Sequence, residues 1–485
     1  MLPFVAGLPL VDHHCHGVIR RDVDRRGFEA LLTEAGDAYG SRPARREHRA
    51  AAAPADAPHI AERAWAGTDT PAGTGPGPGA PGAVTLSGSG PANPGAVTLS
   101  GSGPANPGAV TLFDSQIGLA VRRWCPPVLG LPAHTGPDEY LDHRAALGHA
   151  EVSRRFLRAA GLAALCVDTG FEPEPLLSPP ELAEVAGAPA YEIVRLERVA
   201  ESVAAAGASA SGFAGAFREG LADRARDAAG LKSVAAYRAG LDLPAARPTE
   251  TEVAAAAERW LGPSGSPGGT PPRLADPVLH SFLIWCGADL GLPIQFHAGY
   301  GDRDVDLQRG NPLLLTPLLR AIEPTGAPVM LLHNYPYHRE AGYLAQVFPH
   351  VYVDAGLATH NLGHRAAALI AETLELVPFG KFLYSSDGFG LPELHYLGAM
   401  LFRRGLSDFL RTGLDDGAWT SADAERIARQ AGHANARRVY RRPGRALLPA
   451  GGGRYGPRRR SAGCRPASRV LPQAVLRPGP ASWYG

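Results

Sequence analysis

The sequence predicts an α/β protein folded as a (β/α)8 TIM-type barrel, and three observations lead there. Eight short apolar runs rich in β-branched residues alternate with helical stretches along the chain. Several of these runs end in His or Asp, as barrel strands do at the C-terminal rim where chemistry collects. No GxGxxG phosphate turn follows any run, which disfavours a doubly wound open sheet.

The opening stretch MLPFVAGLPLVDHHCHG lacks a charged leader region and a cleavage site. It reads as a first strand over 8–14 rather than a signal peptide. Further strands are expected at 163–168, 191–196, 230–237, 292–297, 328–333, 350–354 and 381–387. Helical periodicity is plain at 143–160, 313–322, 364–376 and 422–440. Parallel strands need such helix-length crossings between them.

Two segments stand apart. The 59 Gly and 45 Pro make up more than a fifth of the 485 residues, well above ordinary globular usage. The unit PGAVTLSGSGPAN fills 81–93, repeats at 94–106, and its first six residues return at 107–112. Its only apolar core is Val-Thr-Leu, too little to offset the entropy of ordering it. Residues 44–112 are therefore expected to be a disordered low-complexity insertion in a surface loop, where added length costs little. From Arg442 to Gly485 the chain is rich in Arg, Pro and Gly without Asp or Glu, and a basic disordered tail is expected over 442–485. The barrel domain is then 1–441, interrupted by the insertion.

A net charge of +1 supplies no field for nucleic acid. No apolar run approaches membrane-spanning length. The five cysteines have neither CxxC nor framework spacing, which suits a reducing compartment. These features predict a cytoplasmic protein acting on a small molecule, without nucleic acid or membrane. A homo-oligomer is left open.

The first strand ends in Asp12-His13-His14-Cys15-His16. Alternation puts Asp12, His14 and His16 on one face and His13 and Cys15 on the other. Two imidazoles spaced i, i+2 can converge on one ion. The fifth run ends in His297, the sixth in His333 and the eighth in Asp387. A lone strand-end His is more often a hydrogen-bonded rim residue. Four strand ends delivering such residues in barrel order is hard to obtain by chance. The expected metal ligands are His14, His16, His297 and Asp387, around one divalent ion: zinc first, with manganese or iron as alternatives. His13 is expected to be structural.

Arg195 and Arg238 fall at the ends of the third and fourth runs, where a fork of donors can grip a substrate carboxylate. For Arg195 a rim salt bridge to Glu197 competes with that role. Gln295 shares the parity of His297, and Tyr335 follows the sixth strand. All four are expected substrate contacts. The run Asp302, Asp304, Asp306 suggests a calcium loop, but Leu307 and Leu313 occupy the positions that need Gly and Glu.

DxHxH on strand one, His on strands five and six, and Asp on strand eight resembles the amidohydrolase superfamily. Longer stretches sharpen the likeness: PIQFHAGYGDRDVDLQRGNPLLL, LLHNYPYHREAGYLAQVFPHVYVDAGLA, KFLYSSDG, GLAVRRWCPPVLGL and GHANARRVY. They are similar to the amidohydrolase domain joined to a glutamine synthetase-like domain in some fungal and plant proteins. The resemblance covers about 1–35 and 113–441. Two departures are the repeat insertion and the lack of a synthetase domain after the barrel.

The resemblance implies a metal-activated water, with Asp387 as ligand and proton acceptor. It makes His333 a donor to the developing oxyanion, direct ligation being the lesser role. Some superfamily members bridge two metals with a carboxylated lysine on strand four. Lys232 lies six residues before Arg238, about 20 Å from a rim placed there at ~3.3 Å per residue. One metal is therefore expected.

The implied activity is hydrolysis of a C–N amide bond in a small carboxylate-bearing substrate. The synthetase association suggests a γ-glutamyl amide and a functional link to a glutamine synthetase-like enzyme. The alternatives are a metal-dependent decarboxylase or lactonase, and a non-catalytic scaffold or signalling barrel.

Overall fold

The computed structural model describes residues 1–34, 111–171, 173–262 and 273–440. The expected insertion lies outside them apart from its last two residues, as does the expected tail. Seven strands form one parallel sheet in chain order. They are β1 Leu10–Cys15, β2 Leu162–Asp168, β3 Ala190–Arg195, β4 Gly230–Ser233, β5 Ile294–Ala298, β6 Val329–His333 and β7 Val351–Val353. Helical connections separate the strands, as parallel pairing demands.

Eight regular strands were expected, and seven occur among the described residues. The segment 381–387 runs between β7 and β1 without becoming a regular strand. Val353 and Phe382 form an isolated parallel bridge. The Leu383 N–H donates to the Val353 carbonyl at 3.0 Å. On the other side the His13 N–H donates to the Tyr384 carbonyl at 3.2 Å and the Asp387 N–H to that of His14 at 3.0 Å. Side chains displace the ladder at Ser386, whose N–H and hydroxyl donate to the Asp12 carboxylate at 2.8 and 2.5 Å. Backbone bonds thus run from this segment to both edge strands.

β4 is shorter than the expected 230–237. Glu197 accepts from the Ser233 hydroxyl at 2.7 Å and the Val234 N–H at 2.9 Å, and Ala235–Tyr237 then coils into a 3-10 turn. The predicted helix 143–160 breaks at Gly148 (φ +77) into Pro137–Leu147 and His149–Ala159, since a left-handed backbone suits glycine. The 24-residue helix Pro392–Asp415 was not anticipated. Its buried Arg403 donates to the carbonyls of Leu8, Ala160 and Gly161, pinning the starts of β1 and β2.

One apolar cluster gathers Val11, Ala164, Ile193, Met330 and Leu332 from four strands against Tyr440. A larger one fills the space between strands and outer helices. No described helix is long and apolar enough to cross a membrane.

Candidate metal centre

The ends of β1, β4, β5 and β6 and the 382–387 segment converge on Asp387. His14 Nε2 lies 2.9 Å from Asp387 Oδ1, and His16 Nε2 lies 3.5 Å from the same oxygen. His333 Nε2 stands 3.6 Å from Oδ2. The His297 ring sits 4.8 Å from that of His333, centroid to centroid, and its buried Nε2 has no hydrogen-bond partner. The four expected ligands and His333 are thus brought into one cluster, buried except for the partly exposed His16.

Hydrogen bonds orient the rings of His14, His16 and His333. Gln295 Nε2 donates to the His13 carbonyl at 2.7 Å and the Tyr440 hydroxyl at 2.8 Å, so its Oε1 faces His14 Nδ1 at 2.8 Å. His14 therefore carries its proton on Nδ1 and turns a bare Nε2 inward. His16 Nδ1 meets the Asp168 carbonyl at 3.3 Å, which can only accept, so that nitrogen carries a proton and Nε2 is the one turned toward Asp387. His333 is the reverse: its Nδ1 accepts from the Leu357 N–H at 3.4 Å, leaving the proton on Nε2. The same atoms thus separate two ligand-type imidazoles from one donor-type imidazole.

Electrostatics agree with that division. Burial, followed by the Lys232 charge, pushes His14 down to about 3, so it is neutral at neutral pH. Burial likewise lowers His333 to about 4 and His297 well below its ordinary value. Burial alone would raise the Asp387 carboxyl, but the imidazoles packed around it, His333 foremost, outweigh burial and hold it well below its usual range. A bare imidazole nitrogen thus faces a carboxylate oxygen at 2.9 Å with no proton to share. Two lone pairs at that distance repel unless a cation meets both. This donor set suits a divalent metal, since neutral imidazole and carboxylate are its ordinary ligands. The ligand atoms of His14, His333 and Asp387 all lie within 4.8 Å of one another, a group that includes His333 and leaves out His16 and His297. Asp12, Cys15 and His395 are equally close, but both Asp12 oxygens are taken by Ser386.

Backbone strain marks the same place. Four described non-glycine residues have positive φ, and three of them are His333 (+68°), Asn334 (+62°) and Asp387 (+51°). A Cβ on Gly356 would stand 2.2 Å from Ser385 Oγ and 3.3 Å from His333 Nδ1, so only glycine lets the Leu357 N–H reach that ring.

Other expectations change. Lys232 is not remote from the rim: with β4 ending at Ser233, its buried amine lies 3.4 Å from His14 Nε2. Burial lowers it to about 8. Gln295, expected to touch substrate, is fully buried and spends its amide on His14, His13 and Tyr440. Arg238, expected to touch substrate, is engaged by Glu201 and the Leu274 carbonyl instead. Arg195 pairs with Asp168 at 2.5 and 3.2 Å, not with Glu197, and its guanidinium lies over the Phe171 ring. Tyr335 is half-buried, its carbonyl accepting from the Tyr300 N–H at 2.7 Å and its ring stacked on His338. His13 is structural, held between Asp354 at 2.8 Å and Tyr440 at 2.9 Å.

Two organising residues escaped the sequence reading, and a third was placed too far from the rim. Asp168 closes β2 and orders Arg195 and His16. Asp354 follows β7 and binds the His333 N–H at 2.7 Å, the Ser385 hydroxyl at 2.7 Å and His13. Lys232 is the third. Two are strand-end carboxylates and the third a lone charge inside an apolar run, which burial penalises unless it is used.

A curled parallel sheet with an Asp-centred histidine cluster at its C-terminal rim is the arrangement of a hydrolase-type enzyme. The family model described as Amidohydrolase matches residues 167–442, more than half of the chain. The chain belongs to the amidohydrolase superfamily. It is 32% identical over 239 residues to protein fluG of Emericella nidulans, a match covering 47% of this chain and 27% of fluG. The chain thus aligns with about a quarter of that relative's length. A Lactobacillus casei ATCC 334 protein assigned as a metal-dependent hydrolase shares the fold at a TM-score of 0.65. Its identity is 25%, covering 90% of this chain and 96% of that one. A glucuronate isomerase of Caulobacter crescentus aligns at TM-score 0.48 and 15% identity, over 68% of this chain and 77% of that one.

Proposed function

We propose that the chain is a metal-dependent amidohydrolase that cleaves the C–N amide bond of a small carboxylate-bearing substrate, with a γ-glutamyl amide as the favoured case. The observation that carries the reading is the bare His14 Nε2 facing Asp387 Oδ1 at 2.9 Å. His14, His16, His297 and Asp387 would hold the divalent ion, zinc being the first choice for a mixed nitrogen and oxygen set. When bound, such an ion acts as a Lewis acid and lowers the pKa of water.

The protein's own residues supply the rest. Asp387, ionised well below neutrality, takes the proton of the attacking water and passes it to the leaving amine. His333, protonated on Nε2, donates to the oxyanion as charge develops. Arg195, fixed by Asp168 through Nε and one terminal nitrogen, offers its remaining edge to the substrate carboxylate. Lys232 adds a positive charge beside His14, and its place in the cluster removes the distance argument for a single ion. The likeness to the Lactobacillus casei hydrolase supports the reaction class. The γ-glutamyl assignment, and a link to a glutamine synthetase-like enzyme, rest on the resemblance of motifs alone.

A product screen tests the proposal. Metal-loaded protein is offered γ-glutamyl amides, lactones and aromatic acids, and products are identified by mass. Release of free amine supports it, and Asp387→Asn should then lower kcat by about 10²-fold or more. Release of carbon dioxide or ring-opened lactone alone replaces it with the decarboxylase or lactonase alternative. No turnover of any class by metal-loaded protein favours a scaffold.

A further inference from the structure

Away from the rim, a surface groove of about 300 Å³ lies between the helices Gln116–Trp124, Ala366–Thr373 and Pro392–Asp415 and the 3-10 turn Gly363–Arg365. That volume is at the lower end of small-molecule sites. Its apolar part is formed by Leu119, Ala120, Ala366, Ala367 and Leu401. Its polar part is unusual. The Arg123 guanidinium lies 4.4 Å from the Trp124 ring centroid, and that of Arg404, from another helix, lies 4.9 Å from the same ring.

Stacking on one indole holds both cations in place without using their hydrogen-bond edges. Most exposed arginines here face a carboxylate, as Arg339 does Glu375 and Arg426 does Asp423. Arg123 and Arg404 have no ion pair among the described residues. The one carboxylate lining the groove, Asp408, is paired with Arg411 at 3.3 Å. With Asp408 committed to Arg411, two guanidiniums gathered on one ring repel each other, and an anion bound by both relieves that repulsion.

We infer that this groove binds a small organic carboxylate, its apolar body on the alanine and leucine floor and its carboxylate held by the Arg123 and Arg404 guanidiniums. The inference does not depend on the metal centre. A macromolecular partner is disfavoured by the size of the groove, and a bare inorganic anion would leave the apolar floor unused.

Calorimetric titration of the full chain with benzoate, and separately with inorganic phosphate, tests it. The comparison uses wild type, the double variant Arg123→Gln/Arg404→Gln, and Ala367→Trp, which fills the groove and leaves both charges. Each variant is first checked for an unchanged thermal midpoint. Wild type should show a saturable benzoate site that weakens about tenfold or more in both variants, with phosphate weaker than benzoate. Three results overturn the inference: no saturable benzoate binding at millimolar concentration, binding equal in wild type and variants, or phosphate binding as tightly as benzoate. Binding that persists in both variants assigns the carboxylate to the metal centre instead.

Discussion

The Oε1 of Gln295 stands 2.8 Å from Nδ1 of His14, and this contact decides which face of the imidazole meets Asp387. The proton is held on Nδ1, so Nε2 is free to ligate. Outer partners of this kind commonly carry 10- to 100-fold in metal affinity. Gln295→Leu should therefore weaken metal binding by about that factor, read by competition with a chelating dye. Affinity equal to wild type in a folded Gln295→Leu protein would remove Gln295 from the account.

His333 is assigned the opposite tautomer because the Leu357 N–H points at its Nδ1. His333→Asn should keep the bound metal yet lower kcat by about 10²- to 10³-fold, the usual loss for one oxyanion donor. Metal content and kcat measured on the same preparation separate the roles. Loss of the ion along with activity would make His333 a ligand.

Glu197 links the end of β4 to the core through Ser233 and Val234. Burial pushes its carboxyl up, but His280, Arg238 and Ser233 outweigh burial and hold it at about 2, against 4.5 when free. A depressed carboxyl stabilises fully above pH 4.5, and that stability fades as pH falls toward 2. The contribution is on the order of 3 kcal/mol. In urea titrations, Glu197→Gln should be less stable than wild type at pH 6, with the gap narrowing between pH 4.5 and 3. A gap constant with pH would contradict the assignment.

The periodic apolar runs revealed the strand order and six of the seven strands to within two residues at either end, because buried parallel strands are continuous hydrophobic stretches. They could not reveal where side chains end a strand. Glu197 stops β4 from a different element, and Asp12 displaces the ladder at Ser386; neither contact has a local sequence signature. That is why Lys232 was placed far from the rim it lines. The strand-end histidines and Asp387 were legible because imidazole is uncommon in apolar runs. Of the partners that set their tautomers, Asp168 and Leu357 were not legible and Gln295 was found by parity but given the wrong role, since each lies on another strand or helix. Arg238 misled for the same reason: its strand end was placed four residues too late.

The central claim is that the Asp387 cluster holds a divalent metal. The direct test is elemental analysis of the purified full chain, grown with zinc or manganese and dialysed, beside His14→Asn and Asp387→Asn. The account predicts at least one tightly held divalent ion per chain in wild type, lost or sharply reduced in both variants while their folds persist. A wild-type chain that stays metal-free after supplementation, or variants that retain the full complement, would contradict it.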